Sequence, residues 1–264
     1  MKKNLFLLLI CVLICSMILT SCSLLKSRDV KNTEELIVSI GKVSLDSLNS
    51  IEAAESAYKL LSDKEKEKVE NYNLLEEARE DYLFLFAKSI YDNISSAGIK
   101  LKDSMSLYYE TWRFSIYGDS DDEVTVDGLA DEVGLTADEV DYAIQQIAKD
   151  NDMDKLSKKV LDILYEDTFS VGLWILDEVF EYRGTLTDIE ELLVGARSDL
   201  KLMEKQNPDY EYYKQLLEYY AKTNSYFGYA SDVTGSFDTF KETRKDYEKK
   251  IEEIKTGLEF TFGD

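Results

Sequence analysis

A long stripe of apolar side chains constrains the fold of this chain more than any other feature. Its members recur every three or four positions, which places all of them on one face of an α-helix; they are Leu75, Ala78, Tyr82, Phe86, Ile90, Ile94, Ala97, Leu101, Met105, Tyr108, Trp112 and Ile116. We expect one helix here, ended by Gly118. The chain holds one proline and 12 glycines in 264 residues, whereas sandwiches and barrels use both freely. The sequence therefore predicts an all-α fold.

Helix caps divide the rest of the chain into further helices. Candidate caps near the N-terminus are Asp46 or Ser47, the capping box of Ser62 with Glu65, and Asn71 before the long helix. Later boundaries are Gly184, which ends an apolar stripe over residues 156–182, and Thr187 with Glu190, which caps a helix to about Gln206. Short connections make neighbouring helices antiparallel. We expect short capped N-terminal helices that lead into a bundle of long antiparallel helices.

The last helix is expected to begin at the only proline of the chain. Asn207 precedes Pro208, the order of an N-cap and a first helical position. The apolar pattern continues toward Lys255, with a break within residues 228–235 as an open alternative. Residues 258–262, LEFTF, alternate like a strand, which predicts a tail that packs along the bundle or frays.

The first residues have the layout of an export signal. Lys2 and Lys3 precede an uncharged run over residues 5–19, and the small residues Thr20 and Ser21 follow it. The run is too short to span a bilayer comfortably, because a spanning helix needs about 20 apolar residues. We therefore expect residues 1–21 to be a signal peptide that is removed.

The next residue, Cys22, is the expected anchor. The sequence Leu19-Thr20-Ser21-Cys22 resembles the lipobox of bacterial lipoproteins, which implies cleavage before Cys22 and a diacylglyceryl thioether on its sulfur. Two acyl chains hold a protein stably at a membrane, whereas one holds it only marginally. The alternative is an ordinary cleaved signal peptide followed by a chance cysteine. The other two cysteines lie in the discarded segment, so no disulfide or thiolate site is expected.

A second resemblance covers about a fifth of the chain. The residues that carry it are Val43, Leu45, Asp46, Ser47, Tyr58, Leu61, Ser62, Asp63, Lys66, Val69, Asn71, Tyr72 and Leu75. They resemble a helical module that recurs in cell-surface proteins of Gram-positive bacteria, which implies a spacer or adhesion role; a generic capped hairpin is the alternative. We divide the chain into a signal peptide (1–21), a lipid-anchored tether (22–32), a helical surface module (33–85) and a helical bundle domain (86–264), with the long helix shared across the last boundary.

Charge and the absence of histidine exclude several functions. Without Lys2 and Lys3 the chain carries 29 basic and 53 acidic groups, a formal charge of −24, so it repels phosphate backbones and no nucleic-acid partner is expected. No histidine is present, which excludes Ser-His-Asp sites, His-ligated zinc and haem held by an axial histidine. Any chemistry would use carboxylates, Lys, Tyr, Ser or a hard metal. We predict no cofactor and no enzymatic activity.

Two acidic segments and one helical corner offer weaker signals. Residues 119–123 and 150–154 space carboxylates as calcium loops do, but both lack the EF-hand glycine and glutamate, so we predict solvated turns and no metal. Residues 127–150 resemble a DNA-binding helix-turn-helix in the placement of Ala130, Gly134 and Val140. The helix that would enter the groove is acidic and would repel DNA. We predict a helical corner capped by Thr136 and Glu139.

Tyrosines are concentrated in the last helix. They are Tyr210, Tyr212, Tyr213, Tyr219, Tyr220, Tyr226 and Tyr229, and they cannot all share one helix face. Those that reach solvent suit recognition of an extracellular protein or a glycan, and Tyr210, Tyr213 and Tyr220 are the candidate binding residues. The alternative is a rim of tyrosines around the core.

These features favour a non-enzymatic, lipid-anchored protein on the extracytoplasmic face of the cell membrane, acting as a scaffold or as a binding or adhesion module. Two alternatives remain open at this stage. A ligand-binding lipoprotein of a transport system would need alternating strands and helices, and the sequence shows no buried strand runs ahead of its helices. A carboxylate-based hydrolase would need two acids across a cleft, which 53 acids do not identify.

Overall fold

The computed structural model describes residues 26–118, 125–151, 156–158, 160–161 and 170–263, and within these ranges it contains helices and no strand. The all-α prediction is confirmed. In chain order the elements are α1 (Arg28–Ile40), a 3₁₀ turn (Leu45–Ser47), α2 (Leu48–Leu60), α3 (Asp63–Lys66), α4 (Tyr72–Tyr117), α5 (Val126–Val133), α6 (Ala137–Asp150), α7 (Ser170–Arg183), α8 (Thr185–Gln206), α9 (Tyr213–Ala230) and α10 (Phe237–Phe262).

The long helix predicted from the apolar stripe is α4. It ends at Tyr117, and Gly118 follows in a left-handed conformation with φ 60°, which glycine adopts without the steric cost that a side chain would bring. The chain divides into two compact units within α4: the first ends at Phe86 and the second begins at Ala87.

In the first unit, α1 begins inside the segment assigned to the tether. Ser27 caps this helix, since its hydroxyl accepts a hydrogen bond from the backbone N of Val30 at 3.3 Å. Residues 28–32 are therefore helical, and the tether is shorter than the sequence suggested. α1 packs against α2, and Val30 and Ile51 are both fully buried, because their spacing with other apolar residues keeps them on the inner helix faces.

The caps of the first unit follow the sequence in part. The Ser62 and Glu65 capping box is present, with Glu65 Oε2 3.1 Å from the backbone N of Ser62. Ser47 precedes α2 but makes no side-chain cap, and it pairs instead with Ser44 in the 3₁₀ turn. Asn71 directly precedes α4, yet its Nδ2 donates to the backbone O of Glu34 at 3.1 Å, so this side chain ties α4 to α1 instead of capping α4.

In the second unit, the helices from α7 onward pack in chain order, each against the next, and α6 packs against α7. One core cluster joins the C-terminal part of α4 to α5, α6 and α7; its fully buried members include Val126, Leu129, Ala143, Val171 and Ile175. The capped corner predicted between residues 127 and 150 is confirmed. Gly134 is left-handed, with φ 69°, and Thr136 and Glu139 form the capping box of α6.

Two predicted helix starts are wrong. Helix α8 begins at Thr185, directly after left-handed Gly184, with no side-chain cap; Thr187 therefore lies inside the helix, because the turn at Gly184 already starts it. Helix α9 begins at Tyr213 and not at Pro208. Residues 207–212 form consecutive turns instead, with the backbone N of Tyr210 3.1 Å from the O of Asn207.

The strand-like conformation predicted for the tail is wrong, although the tail packs along the bundle, which was one of the two alternatives. Residues 258–262 belong to α10, which runs to Phe262. Leu258 and Phe262 are buried while Phe260 is 97 % exposed, because residues four apart share a helix face and the residue midway between them does not. The sequence left open whether the helix after Pro208 is broken within residues 228–235, and the structure shows this break. α9 ends at Ala230, and Ser236 caps α10.

Candidate functional site

Three helices of the second unit enclose a groove of about 330 Å³. α4 and α10 form its two walls, and α9 forms its floor. Each wall contributes residues at positions i, i+3, i+4 and i+7, which lie along one helix face. The lining residues are Ser95, Gly98, Ile99 and Lys102 from α4, Glu248, Ile251, Glu252 and Lys255 from α10, and Tyr219 and Tyr226 from α9.

The walls of the groove run antiparallel. Near the start of this part of α4, Lys88 Nζ lies 3.1 Å from the backbone O of Phe262 at the end of α10. Further along α4, the backbone O of Met105 accepts a hydrogen bond from Arg244 Nη1 at 3.2 Å, near the start of α10. Residues later in α4 therefore lie beside residues earlier in α10.

This register gives the groove two different ends. At one end Ser95 of α4 faces the part of α10 that carries Lys255, and at the other end Lys102 faces the part that carries Glu248. At a rise of 1.5 Å per residue, the seven steps from Ser95 to Lys102 span about 10 Å. The groove is therefore about as long as a small molecule or two residues of an extended peptide.

The floor presents two hydroxyl groups instead of aromatic faces. Tyr219 and Tyr226 are each 1 % exposed, and their rings pack against Tyr91 and Tyr247 at centroid distances of 6.0 and 5.1 Å. Tyr226 donates a hydrogen bond to Glu248 Oε1 at 3.2 Å. Burial raises the pKa of both Tyr219 and Tyr226, so these hydroxyls stay protonated and remain hydrogen-bond donors.

A glycine keeps the middle of the groove open. A Cβ built on Gly98 would lie 3.9 Å from the hydroxyl of Tyr219, so any longer side chain there would extend over the floor. The neighbouring wall positions are apolar: Ile99 is 55 % exposed and Ile251 is 8 % exposed. The groove therefore offers an apolar middle between polar ends.

The charged groups of the groove differ in how fully they are paired. Glu248 is held by Tyr226 and by Arg244, whose Nε lies 3.5 Å from Oε1. Lys255 has a long contact of 3.8 Å with Glu259. Lys102 makes no ion pair with any residue in the described ranges. Both lysines are therefore available to a ligand, and Glu248 is largely engaged.

The structure places the three predicted binding tyrosines outside this groove. Tyr210, Tyr213 and Tyr220 are half-buried, and none of them lines it. Burial raises the pKa of Tyr210 to about 12, and the hydroxyl of Tyr220 donates to Asn224 Oδ1 at 3.4 Å. Their role in binding stays a prediction.

Sequence reasoning found the tyrosine-rich segment but not the two tyrosines of the groove. The seven-residue spacing of Tyr219 and Tyr226 puts them on one face of α9 together with Leu216, Thr223 and Ala230, all of which are buried. That face could have been identified from the spacing alone. The glutamates and lysines of α10 gave no comparable signal, because charged residues at helical spacing occur on every solvated face.

A second depression lies between α6 and α7 in the same unit. It is lined by Ile147, Asp150, Asn151, Trp174, Asp177 and Glu178, and the hydroxyl of Tyr108 donates to the carboxylate of Asp177. Within the described ranges, no group of three or more carboxylates, cysteines or histidines is arranged to hold a metal ion. The acidic segment 119–123 and residues 152–154 of the second one lie outside those ranges.

Comparisons with known proteins give no family for this chain: no family model, no curated protein and no solved structure matches it. Among the helices in the described part of the chain, none is both long enough and apolar enough to cross a membrane. Cys22 lies outside that part.

Proposed function

We propose that this protein is a non-enzymatic, lipid-anchored binding protein or scaffold on the extracytoplasmic face of the cell membrane. The groove of the second unit is the observation that carries the binding role. It combines tyrosine hydroxyls on its floor, an apolar middle and available lysines at both ends. These are the features of a ligand site, in which a few placed polar groups orient a molecule between apolar walls.

The start of α1 supports a short connection to the proposed anchor. α1 begins at Arg28, six residues after Cys22. Because an extended chain spans at most about 3.6 Å per residue, this connection reaches at most about 22 Å. A lipid on Cys22 would therefore hold the first unit close to the membrane surface, as expected for a surface spacer.

Replacing the sulfur tests the anchor. In Cys22→Ser, incorporation of a labelled fatty acid should be lost and the protein should leave the membrane fraction, because the thioether cannot form. Cys15→Ser is the matched control, since it makes the same change within the apolar run of the signal. Labelling of the Cys22→Ser protein equal to that of the control would overturn the lipid anchor.

Filling the groove tests the binding role. In Gly98→Leu the new side chain extends over the hydroxyl of Tyr219, whereas Gly228→Leu places the same side chain on the exposed side of α9 with no atom within 4 Å of its Cβ. Partners from the cell envelope should be recovered with the Gly228→Leu protein and reduced with Gly98→Leu. Equal recovery with both would exclude the groove as the binding site.

The two alternative functions receive no specific support. The alternating strands and helices of a transporter's binding protein do not occur in the described ranges. A carboxylate-based hydrolase needs two acids on opposite sides of a cleft, whereas Glu248 and Glu252 lie on one side, a single turn apart on α10.

A further inference from the structure

We infer that the groove binds a zwitterion with an apolar side chain, which is the chemistry of a free apolar α-amino acid. This ligand class rests on the proposed binding function and makes it specific. Three features carry it: the polar end at Ser95 and Lys255, the acidic wall of α10, and the apolar middle between them.

The end at Ser95 fits a carboxylate. Only 23 % of the Lys255 side chain is exposed, and among the described residues its ion contact is with Glu259, at the long distance of 3.8 Å. The hydroxyls of Ser95 and Tyr219 line the groove together with Lys255. An ammonium group and hydroxyls that line the same end can donate to a carboxylate, and charge-assisted hydrogen bonds are about twice as strong as neutral ones.

The wall of α10 supplies the opposite charge. Glu252 lines the groove one turn before Lys255 and makes no ion pair with any residue in the described ranges. The carboxylate and the ammonium of an α-amino acid are separated by a single carbon, so adjacent opposite charges on one helix face match them. Glu248, already held by Arg244 and Tyr226, is less available to a ligand.

The middle of the groove fits an apolar side chain. Ile99 and Ile251 face each other across the antiparallel walls, and Gly98 leaves space over the floor. An aliphatic side chain placed there would remove apolar surface from water, which favours binding.

Two other ligand classes fit less well. A sugar is held by stacking on an exposed aromatic face, but the rings of Tyr219 and Tyr226 are buried and only their hydroxyl ends line the groove. A nucleotide would bring several negative charges to a chain with a formal charge of −22 over its full length. The zwitterion is electrically neutral and avoids this repulsion.

The test is isothermal titration calorimetry, in which the purified full chain is titrated separately with L-leucine and with leucyl-leucine. Binding of L-leucine supports the inference, whereas binding of leucyl-leucine alone would contradict it, because four backbone atoms separate the two charges of the dipeptide. Leucinamide, which lacks the carboxylate, and N-acetyl-leucine, which lacks the ammonium, should each bind about tenfold more weakly, because each loses one charge-assisted contact. Equal binding of all four compounds would overturn the assignment of a zwitterion.

Variants locate the binding. Lys255→Gln and Gly98→Leu should each weaken leucine binding by about tenfold or more, whereas Lys245→Gln and Gly228→Leu, which change exposed positions outside the groove, should bind as the unchanged protein does. If L-leucine does not bind while envelope partners are still recovered in a Gly98-dependent manner, this ligand class is wrong and the proposed function stands. If partner recovery is also independent of Gly98, both fail.

Discussion

At the scale of single residues, Glu139 shows how the fold changes the behaviour of an acid. Its side chain lies at the start of α6, is 7 % exposed, and accepts hydrogen bonds from Arg183 Nε at 2.5 Å and from the backbone N of Thr136 at 2.8 Å. The hydrogen bond from Arg183 is the largest cause that lowers the pKa of Glu139, from 4.5 to about 2. The sequence identified this residue as a cap but gave no sign of its partner in α7.

Glu139 should therefore contribute to acid unfolding. Because its pKa is lower in the folded chain, its contribution to the free energy of unfolding is fully present above about pH 4.5 and is lost as the pH falls toward about 2. The difference is worth about 3 kcal/mol. Glu139→Gln should lower the free energy of unfolding near neutral pH by about that amount, and the deficit should shrink with acidification, as measured by urea unfolding at several pH values. Asp138→Asn, an exposed neighbour, is the control; a pH-independent deficit would contradict this account.

The aromatic residues at the end of α10 give a second prediction at this scale. Phe262 is 1 % exposed and packs against Tyr212 and Tyr91 at centroid distances of 5.1 and 5.8 Å, whereas Phe260 is 97 % exposed. Phe262→Ala should lower the free energy of unfolding by about 3 kcal/mol or more, since it leaves a cavity. Phe260→Ala should change it by less than about 0.5 kcal/mol. If thermal unfolding gave the two variants the same Tm, the result would show that the tail is frayed.

At the scale of elements, two glycines of the second unit differ in backbone conformation. Gly134 has φ 69° and lies between α5 and α6, while Gly228 lies within α9; neither has an atom within 4 Å of an added Cβ. Replacement by alanine thus tests the backbone alone, without steric contacts.

The two alanine substitutions should have opposite signs. Gly134→Ala should lower the free energy of unfolding by about 1 kcal/mol, because a left-handed conformation crowds the Cβ. Gly228→Ala should raise it by up to about 1 kcal/mol, because alanine favours the helix. Chemical denaturation of both variants measures the two changes in the free energy of unfolding. A stabilising effect of Gly134→Ala would mean that the corner between α5 and α6 is not closed by a left-handed residue.

Caps were predictable where local sequence alone starts a helix. The capping boxes of Ser62 with Glu65 and of Thr136 with Glu139 are present, because each follows a turn with no competing start upstream. Thr187 with Glu190 has the same spacing but lies within α8, since Gly184 starts that helix earlier. The capping pattern identifies a residue that can start a helix. Whether the helix starts there depends on the conformation of the preceding turn.

At the scale of the whole molecule, the acidic excess dominates the electrostatics. The full chain carries 53 acidic and 31 basic groups, a formal charge of −22. Such an excess repels itself more in the compact state than in the unfolded one. The ion pairs along α10, such as Lys250 with Asp246 at 2.6 Å, are exposed and contribute little each.

Salt should therefore stabilise the fold. Between about 0.01 M and 0.15 M salt the Debye length falls from about 30 Å to about 8 Å, which screens repulsion between distant carboxylates. We expect the Tm to rise over this range in sodium chloride and to change less in sucrose of matched osmolality, as measured by circular dichroism. A Tm that falls with salt would show that favourable ion pairs outweigh the acidic excess.

The sequence by itself determined the all-α class and the extent of α4, because helical periodicity is a local property that Leu75 and its successors display without reference to any partner. The prediction of an anchor at Cys22 also comes from the sequence alone, from a short linear motif, and it stays a prediction. Only the tertiary structure decided which tyrosines line the groove, where α9 begins, and that Glu139 meets Arg183. These depend on contacts between residues far apart in the chain, and the sequence of one helix does not indicate which residues of another helix its side chains contact.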